Sequence, residues 1–301
     1  MFFCVNFCKT FFTILCVDID NIHTCSYGVN FENKLNPFEI SRHLQSADVT
    51  EIIVRQELES TNTCAMAMLN NLQGKAPFAL LTNCQSCGHG RLGRKWFSAE
   101  GASVCMSVAV EIGKDIKNIE SFTVRAGVEI CEALRRKLFA DVFLKWPNDI
   151  YSSSGKKIGG MLAEMKLGDS HDSAHTIVFG IGVNYDFSAV KSNIMPSEIS
   201  QIATDLKGVS DSLFSINKLA AVLIDAIVDA SKNMEDASLS SRFAKFDWLF
   251  DRPVNFNIAS KTLSGVAKGI DSCGHLILET FDGTRECLNS GEATTRPPEN
   301  Q

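Results

Sequence analysis

The densest concentration of reactive residue types in the chain is one loop, Cys87-Gly-His-Gly-Arg-Leu-Gly-Arg-Lys-Trp96. Gly88, Gly90 and Gly93 allow its backbone positive φ and a close approach to a ligand. Arg91 and Arg94 can each present a planar fork of donors to phosphate or carboxylate oxygens. Trp96 offers a flat face on which a base can stack. The loop lacks the glycine, lysine and hydroxyl spacing of a Walker A motif. Taken alone it reads equally well as a surface loop with two solvated arginines.

Three further segments carry chemistry. Lys145-Trp-Pro-Asn-Asp149 follows an apolar strand pattern, and Pro147 makes a rigid corner that presents Asn148 and Asp149. As a plain turn, the same corner needs only a local cap from Asn148. Lys157-Ile-Gly-Gly-Met-Leu-Ala-Glu164 sets one lysine before two glycines at the start of a strand, or else a solvated lysine beside a bulge. Phe179-Gly-Ile-Gly-Val-Asn184 ends a strand with Gly180 and Gly182, leaving room for a ligand against the sheet. The Cys84-Gln-Ser-Cys87 pair beside His89 would need a second ligand pair to hold zinc, and no other such spacing occurs. His43, His171, His175 and His275 are scattered and read as surface or core residues.

The elements that must position these groups follow from periodicity. Glu51 to Leu58 reads as a strand, and Ser60-Thr61-Asn62 supplies cap chemistry for a helix with Ala65, Met68, Leu69 and Leu72 on one face. Phe78 to Thr82 and Ser103 to Val110 are strands on either side of the glycine loop. Asn118 to Phe139 is a long helix with Phe122, Ala126, Ile130, Leu134 and Leu138 in one stripe. Val142 to Lys145, Ile158 to Lys166 and Thr176 to Asn184 are further strands, and Ile216 to Lys232 is an amphipathic helix. No regular βαβ rhythm appears, so the fold class is α+β, a mixed sheet with packed helices. From about Asp251, short strands broken by Gly265, Gly269, Gly274 and Gly283 read as a small β-barrel.

Composition bounds the rest. The 301 residues are 45% hydrophobic and 21% charged, with a net charge of −6, as in a soluble globular protein that does not bind nucleic acid without regard to sequence. That balance still allows a local basic pocket. The eleven cysteines are scattered, several in apolar runs, and read as reduced small hydrophobes. The apolar stretch from Phe11 to Val17 is too short to span a bilayer, and Asp18 and Asp20 close it. Residues 1 to 37 are read as an extension, disordered or partly packed, with a targeting role as the other reading.

Together, GHGRLGRKW, KWPND, KIGGMLAE and GIGVN, preceded by Glu59-Ser-Thr-Asn62 and followed by Arg252-Pro-Val-Asn255, resemble the biotin–protein ligase family, which includes the holocarboxylase synthetases. The resemblance spans about residues 38 to 296. It implies a class II synthetase-like catalytic domain over 38–250 and an SH3-like barrel over 251–301. It also implies a two-step reaction: ATP and biotin give biotinyl-5′-adenylate, and a lysine of a biotin carboxyl-carrier domain then displaces AMP. Mg²⁺ is expected to arrive with ATP, without a dedicated protein cage.

By the same resemblance, biotin is held by Ser60, Thr61, Asn62, Gln85, Gly88, His89, Gly90, Arg91, Lys157, Gly180 and Gly182. ATP is held by Arg91, Arg94, Trp96, Asn148, Lys157 and Asn184. Lys157, Arg91 and Asp149 are the catalytic candidates, with Asp149 orienting Lys157 or assisting the metal or the incoming amine. His89 departs from the family, which has an arginine there. The implied protein is cytoplasmic, or organellar if the extension targets it; it binds neither membrane nor nucleic acid, and a homodimer is left open. Alternatives are a lipoate–protein ligase, a DNA-binding repressor and a catalytically defective binding module.

Overall fold

A computed structural model describes residues 15–18, 33–71, 76–113, 119–168, 174–190, 195–258 and 261–295. Most of the expected N-terminal extension, Leu72 and His171 lie outside the described residues.

The main sheet is built from β1 (Leu15–Asp18), β2 (Glu51–Leu58), β3 (Phe78–Gln85), β4 (Ser103–Ile112), β5 (Val142–Lys145), β6 (Asp149–Ser152), β7 (Lys157–Lys166) and β8 (His175–Asn184). Its order is β1-β2-β3-β4-β8-β7-β6-β5. β1, β2 and β3 run parallel and the remaining neighbours antiparallel, so the sheet is mixed as expected. Side chains alternate across it with the strand period of two. Ile52, Val54, Ala79, Leu81, Val108 and Phe179 face one core, whereas Ile53, Phe78, Leu80, Ala109 and Val178 face another.

The first face is covered by α1 (Pro37–His43), α3 (Ile119–Leu138) and α5 (Ile216–Lys232), the second by α2 (Thr61–Asn71) through Ala65 and Leu69. The stripe on α3 is wholly buried, from Phe122 through Leu138, and α5 buries Leu219, Leu223 and Ile227. Ser215 caps α5 by accepting from the Lys218 N–H. Cys105 and Cys131 lie deep in this core, where burial pushes their thiols up to about 11 and about 12. They act as small hydrophobes, in line with the reading of the cysteines.

Several elements differ from the sequence reading. β3 runs on to Gln85 because its polar end is satisfied: Asn83 donates to Gln56 and accepts from the Leu35 N–H. α1 was not read, although Asn36 accepts from the Phe38 and Glu39 N–H groups and Pro37 opens the helix. Leu35, upstream of Phe38, is buried in the main core. β6 and the short helices α4 (Ser197–Ile202) and α6 (Leu239–Phe243) are too brief to show a period.

The C-terminal barrel comprises β9 (Pro253–Ile258), β10 (Lys261–Ile270), β11 (Leu276–Thr280), β12 (Arg285–Leu288) and β13 (Glu292–Thr294), in antiparallel order β12-β11-β10-β9-β13. Gly265 is required by close approach, since a Cβ there would lie 2.4 Å from the Glu279 carbonyl oxygen. The barrel shares its core with the main sheet and its helices. Trp146 donates its indole N–H to the buried Gly274 carbonyl at 2.9 Å and packs on Phe256 at 5.7 Å between centroids. No helix among the described residues is long and apolar enough to cross a membrane.

Candidate active site

The ends of β2, β3 and β8, the start of β7, the glycine loop and the β5–β6 hairpin converge on a cavity of about 370 Å³. Ser60, Thr61, Asn62, Gln85, His89, Gly90, Arg91, Arg94, Trp96, Asn148, Asp149, Lys157, Gly180, Gly182 and Asn184 all line it. Gly88 stands behind the wall. A Cβ on it would come 2.8 Å from Gln85 Nε2, so its bare backbone makes room for that amide.

One end of the cavity is uncharged and tightly hydrogen-bonded. Thr61 and Asn62 sit at the start of α2, both buried. The Thr61 N–H donates to Gln85 Oε1 at 2.8 Å. Asn62 donates to Glu164 at 2.7 Å and to the Leu162 carbonyl at 3.3 Å, and accepts from Ser107 at 2.6 Å. The sequence reading left the space above Gly180 and Gly182 to a ligand. Both glycines line the cavity, and side chains lie close against them: a Cβ at Gly180 would lie 2.3 Å from Asn62 Oδ1, and one at Gly182 would lie 2.4 Å from the Trp96 ring. The glycines shape the site by letting Asn62 and Trp96 lie flat on the sheet.

The other end is cationic. Arg91, Arg94, Lys95, Lys145 and Lys157 line the cavity against two carboxylates among the described residues, Asp149 and Glu292, so a chain of net charge −6 carries a local positive field. Lys157 Nζ pairs with Asp149 Oδ1 at 2.7 Å and lies 5.8 Å from the centroid of Trp96. Gly160 leaves space for that ammonium, since a Cβ there would be 3.2 Å from it. The β6–β7 register shifts between Ile150 and Tyr151, the bulge anticipated beside Lys157. Asn148 donates to the Met161 carbonyl at 2.9 Å, and its Oδ1 faces Arg91 Nη1 at 3.4 Å. Asn184 donates to the Thr204 carbonyl at 2.9 Å, tying the segment after α4 to the sheet.

Sequence reasoning missed several lining residues. Lys145 opens the KWPND run, and its ammonium, pushed below the usual lysine range by burial, donates to the Tyr151 hydroxyl at 3.3 Å. Burial in turn raises Tyr151 to about 12. Ile199, Ile202 and Ala203 form an apolar wall with no local signal. Glu292 reaches the cavity from the barrel and grips both terminal nitrogens of Arg94, one at 2.6 Å. That contact holds the Glu292 carboxyl below its usual range. Outside the cavity, Asp271 Oδ2 lies 2.9 Å from His275 Nδ1 with Cys273 nearby, so His275 is less isolated than the sequence implied.

Comparison with known proteins agrees with this architecture. The biotin/lipoate A/B protein ligase family matches residues 54–184, and the biotin protein ligase C-terminal domain matches residues 249–294. The bifunctional ligase/repressor BirA of Salmonella typhimurium is 32% identical over 276 residues, covering 90% of this chain and 82% of BirA. BirA of Bacillus subtilis is 29% identical over 267 residues, covering 85% and 78%. Among solved structures, the biotin protein ligase of Aquifex aeolicus in complex with biotin and ATP superposes with a TM-score of 0.67 at 24% identity, covering 81% of this chain and 98% of that one. The chain belongs to the biotin/lipoate A/B protein ligase family. Its barrel places it on the biotin side of that family, with the ligases that carry this second domain.

Proposed function

We propose that this chain is a biotin–protein ligase that forms biotinyl-5′-adenylate from biotin and ATP and passes the biotin to a lysine of a carboxyl-carrier domain. The observation that carries the reading is the polarity of one cavity. A fixed array of neutral hydrogen-bonding groups (Thr61, Asn62, Gln85) lies at one end, and the Lys157–Asp149 pair with Arg91 and Arg94 at the other. A largely apolar acid with a cyclic urea head fits the first end, and its carboxylate reaches the second.

In the first step a carboxylate oxygen of biotin attacks the α-phosphorus and pyrophosphate leaves. Negative charge then concentrates beside Lys157 and Arg91, which stabilise it. Asp149 keeps the Lys157 ammonium at the β6–β7 junction. The adenine is assigned to Trp96, Asn148 and Asn184. In the second step the acceptor amine attacks the acyl carbon and AMP departs, and beyond orienting Lys157 the Asp149 carboxylate is a candidate for assisting that amine. Both carboxylates of the cavity wall are already paired with cations, Asp149 with Lys157 and Glu292 with Arg94. The residues therefore suit a Mg²⁺ carried on the phosphates of ATP, where it would neutralise oxygen charge.

Ligase action is proposed without a nucleic-acid or membrane role, and in the cytoplasm. The test is labelling of a purified carrier domain, read by streptavidin blot. Labelling that requires both biotin and ATP, and that lipoate does not replace, is expected. Absence of labelling with retained biotin binding would turn the assignment to a binding-only protein.

A further inference from the structure

Asn62 is the pivot of the neutral end of the cavity, and the two ends of its amide differ chemically. Its nitrogen stands 2.7 Å from Glu164 Oε2 and 3.3 Å from the Leu162 carbonyl. Carboxylates and carbonyls only accept, so Asn62 donates both bonds. That orientation turns Asn62 Oδ1 to the Ser107 hydroxyl, 2.6 Å away and fully buried. Ser107 has a single proton and Oδ1 can only accept, so the proton is committed there. Thr61 Oγ1 stands 2.8 Å from Ser107 Oγ and donates its own proton to Gln85 Oε1 at 3.3 Å. Gln85 Oε1 is held by the Thr61 backbone N–H, which leaves Gln85 Nε2 as the donor end. Glu164 thereby sets which end of the Asn62 amide faces Ser107, while the Thr61 backbone N–H separately sets Gln85.

The outcome is an ordered face. Asn62 Oδ1 accepts, and Gln85 Nε2 is the donor end. A cyclic urea is the complement, with two N–H donors and one carbonyl. Among the described residues that line the cavity Glu164 does not appear, and it reaches the site through its bond to Asn62. We propose that Glu164 is a positioning residue that sets the hydrogen-bond polarity of the biotin pocket, so that the pocket accepts from the ring N–H groups and does not donate to them. This rests on the biotin reading above.

Glu164→Gln is the informative change because it keeps the shape and adds a donor. A glutamine amide can meet Asn62 in either orientation, which leaves only the longer Leu162 contact, at 3.3 Å, to hold it, so Asn62 can turn over and present its nitrogen to Ser107. Ser107 would then donate to Thr61, and the face would lose its acceptor character.

The experiment measures adenylate formation with biotin and with a carbamate analogue in which oxygen replaces one ring N–H. The wild type is expected to prefer biotin by about a hundredfold or more, because the analogue leaves an acceptor facing a lone pair. Glu164→Gln is expected to raise the biotin KM and to narrow that preference by about tenfold, with the ATP KM unchanged. The double variant N62D/E164Q exchanges amide and carboxylate between the two positions. Its position 62 can only accept, so it is expected to regain most of the preference, less what the Leu162 contact contributes.

Equal losses for both substrates in Glu164→Gln, or a double variant that folds and shows no preference, would overturn the proposal. If Glu164→Gln alone does not fold, the double variant carries the test. A wild type that makes no adenylate from biotin would overturn the underlying reading instead, and the two failures are distinct.

Discussion

Arg94 and Glu292 meet as a two-pronged pair across 198 residues of sequence, one from the glycine loop and one from the last strand of the barrel. The Arg94 side chain is 64% exposed, so the pair contributes little to folding, about 0–1 kcal/mol. Its consequence is orientation, since both prongs fix the plane of a guanidinium at the cavity edge. Glu292→Gln is therefore expected to leave the unfolding free energy within about 1 kcal/mol of wild type. The ATP KM should rise severalfold while the biotin KM holds. A fall in the ATP KM would mean that Glu292 competes with phosphate for Arg94, and would reverse the assignment.

Gly182 gives a steric test of the base-binding face. A methyl group there would lie 2.4 to 2.7 Å from three atoms of Trp96, distances no side chain tolerates. The indole must lift off the sheet, at a cost of about 1–3 kcal/mol for an overpacked contact. Gly182→Ala should shift the tryptophan emission and raise the ATP KM by about tenfold or more, a loss of roughly 1.4 kcal/mol in binding. Unchanged emission and KM would remove Trp96 from the nucleotide site.

Much of this site was legible because its residues lie in short runs whose chemistry is local. The glycine loop, KWPND and GIGVN each announce a close backbone approach or a presented side chain. The long stripes on α3 and α5 made their burial readable in the same way. What escaped depends on distance in sequence. Nothing near Glu292 signals a partner in the glycine loop, and nothing near Glu164 signals Asn62, since both pairings exist only once the sheet and barrel are assembled. The glycines of β8 line the cavity, but that Asn62 and Trp96 lie against them was not legible, because sequence marks where side chains are missing and not what packs there. The short elements β6 and β13 have too few residues for a period to emerge.

Lys157 is placed to stabilise charge that grows on the reacting oxygens. Lys157→Gln is expected to slow biotin-dependent ATP–pyrophosphate exchange by about 10²–10³-fold, the scale of losing one preorganised donor. Asp149→Asn should cost less, because the ammonium remains and only its anchor is lost. Exchange at the wild-type rate in Lys157→Gln would take that residue out of the chemistry.

His89 lines the cavity where the resemblance implies an arginine, and it lacks the planar fork that grips two oxygens at once. His89→Arg should therefore tighten the hold on the adenylate and reduce labelling of bystander lysines. Arg91→Gly should do the opposite, releasing the intermediate while still making it. If neither variant changes bystander labelling relative to labelling of the carrier domain, the loop does not retain the adenylate.

Asp247 supplies a pH dependence that is independent of catalysis. It lies just after α6, with its Oδ1 accepting from the Leu249 N–H and its buried Oδ2 without a hydrogen-bond partner among the described residues. Burial pushes its carboxyl up to about 6 from the ordinary 3.8. The sign follows from where the proton is held. The folded chain keeps it up to about pH 6, whereas the unfolded chain releases it near pH 4. Below pH 4 both states are neutral and folding carries no penalty. Between about pH 4 and 6 the unfolded state gains by ionising, and above pH 6 the full cost, on the order of 3 kcal/mol, stands. Asp247→Asn removes the charge but keeps an acceptor for Leu249. It is expected to be more stable than wild type at pH 8 by about 1–3 kcal/mol, with the advantage shrinking towards pH 4. Denaturant unfolding of both proteins at the two pH values measures this, and an advantage that does not change with pH would show that Asp247 is not the buried charge.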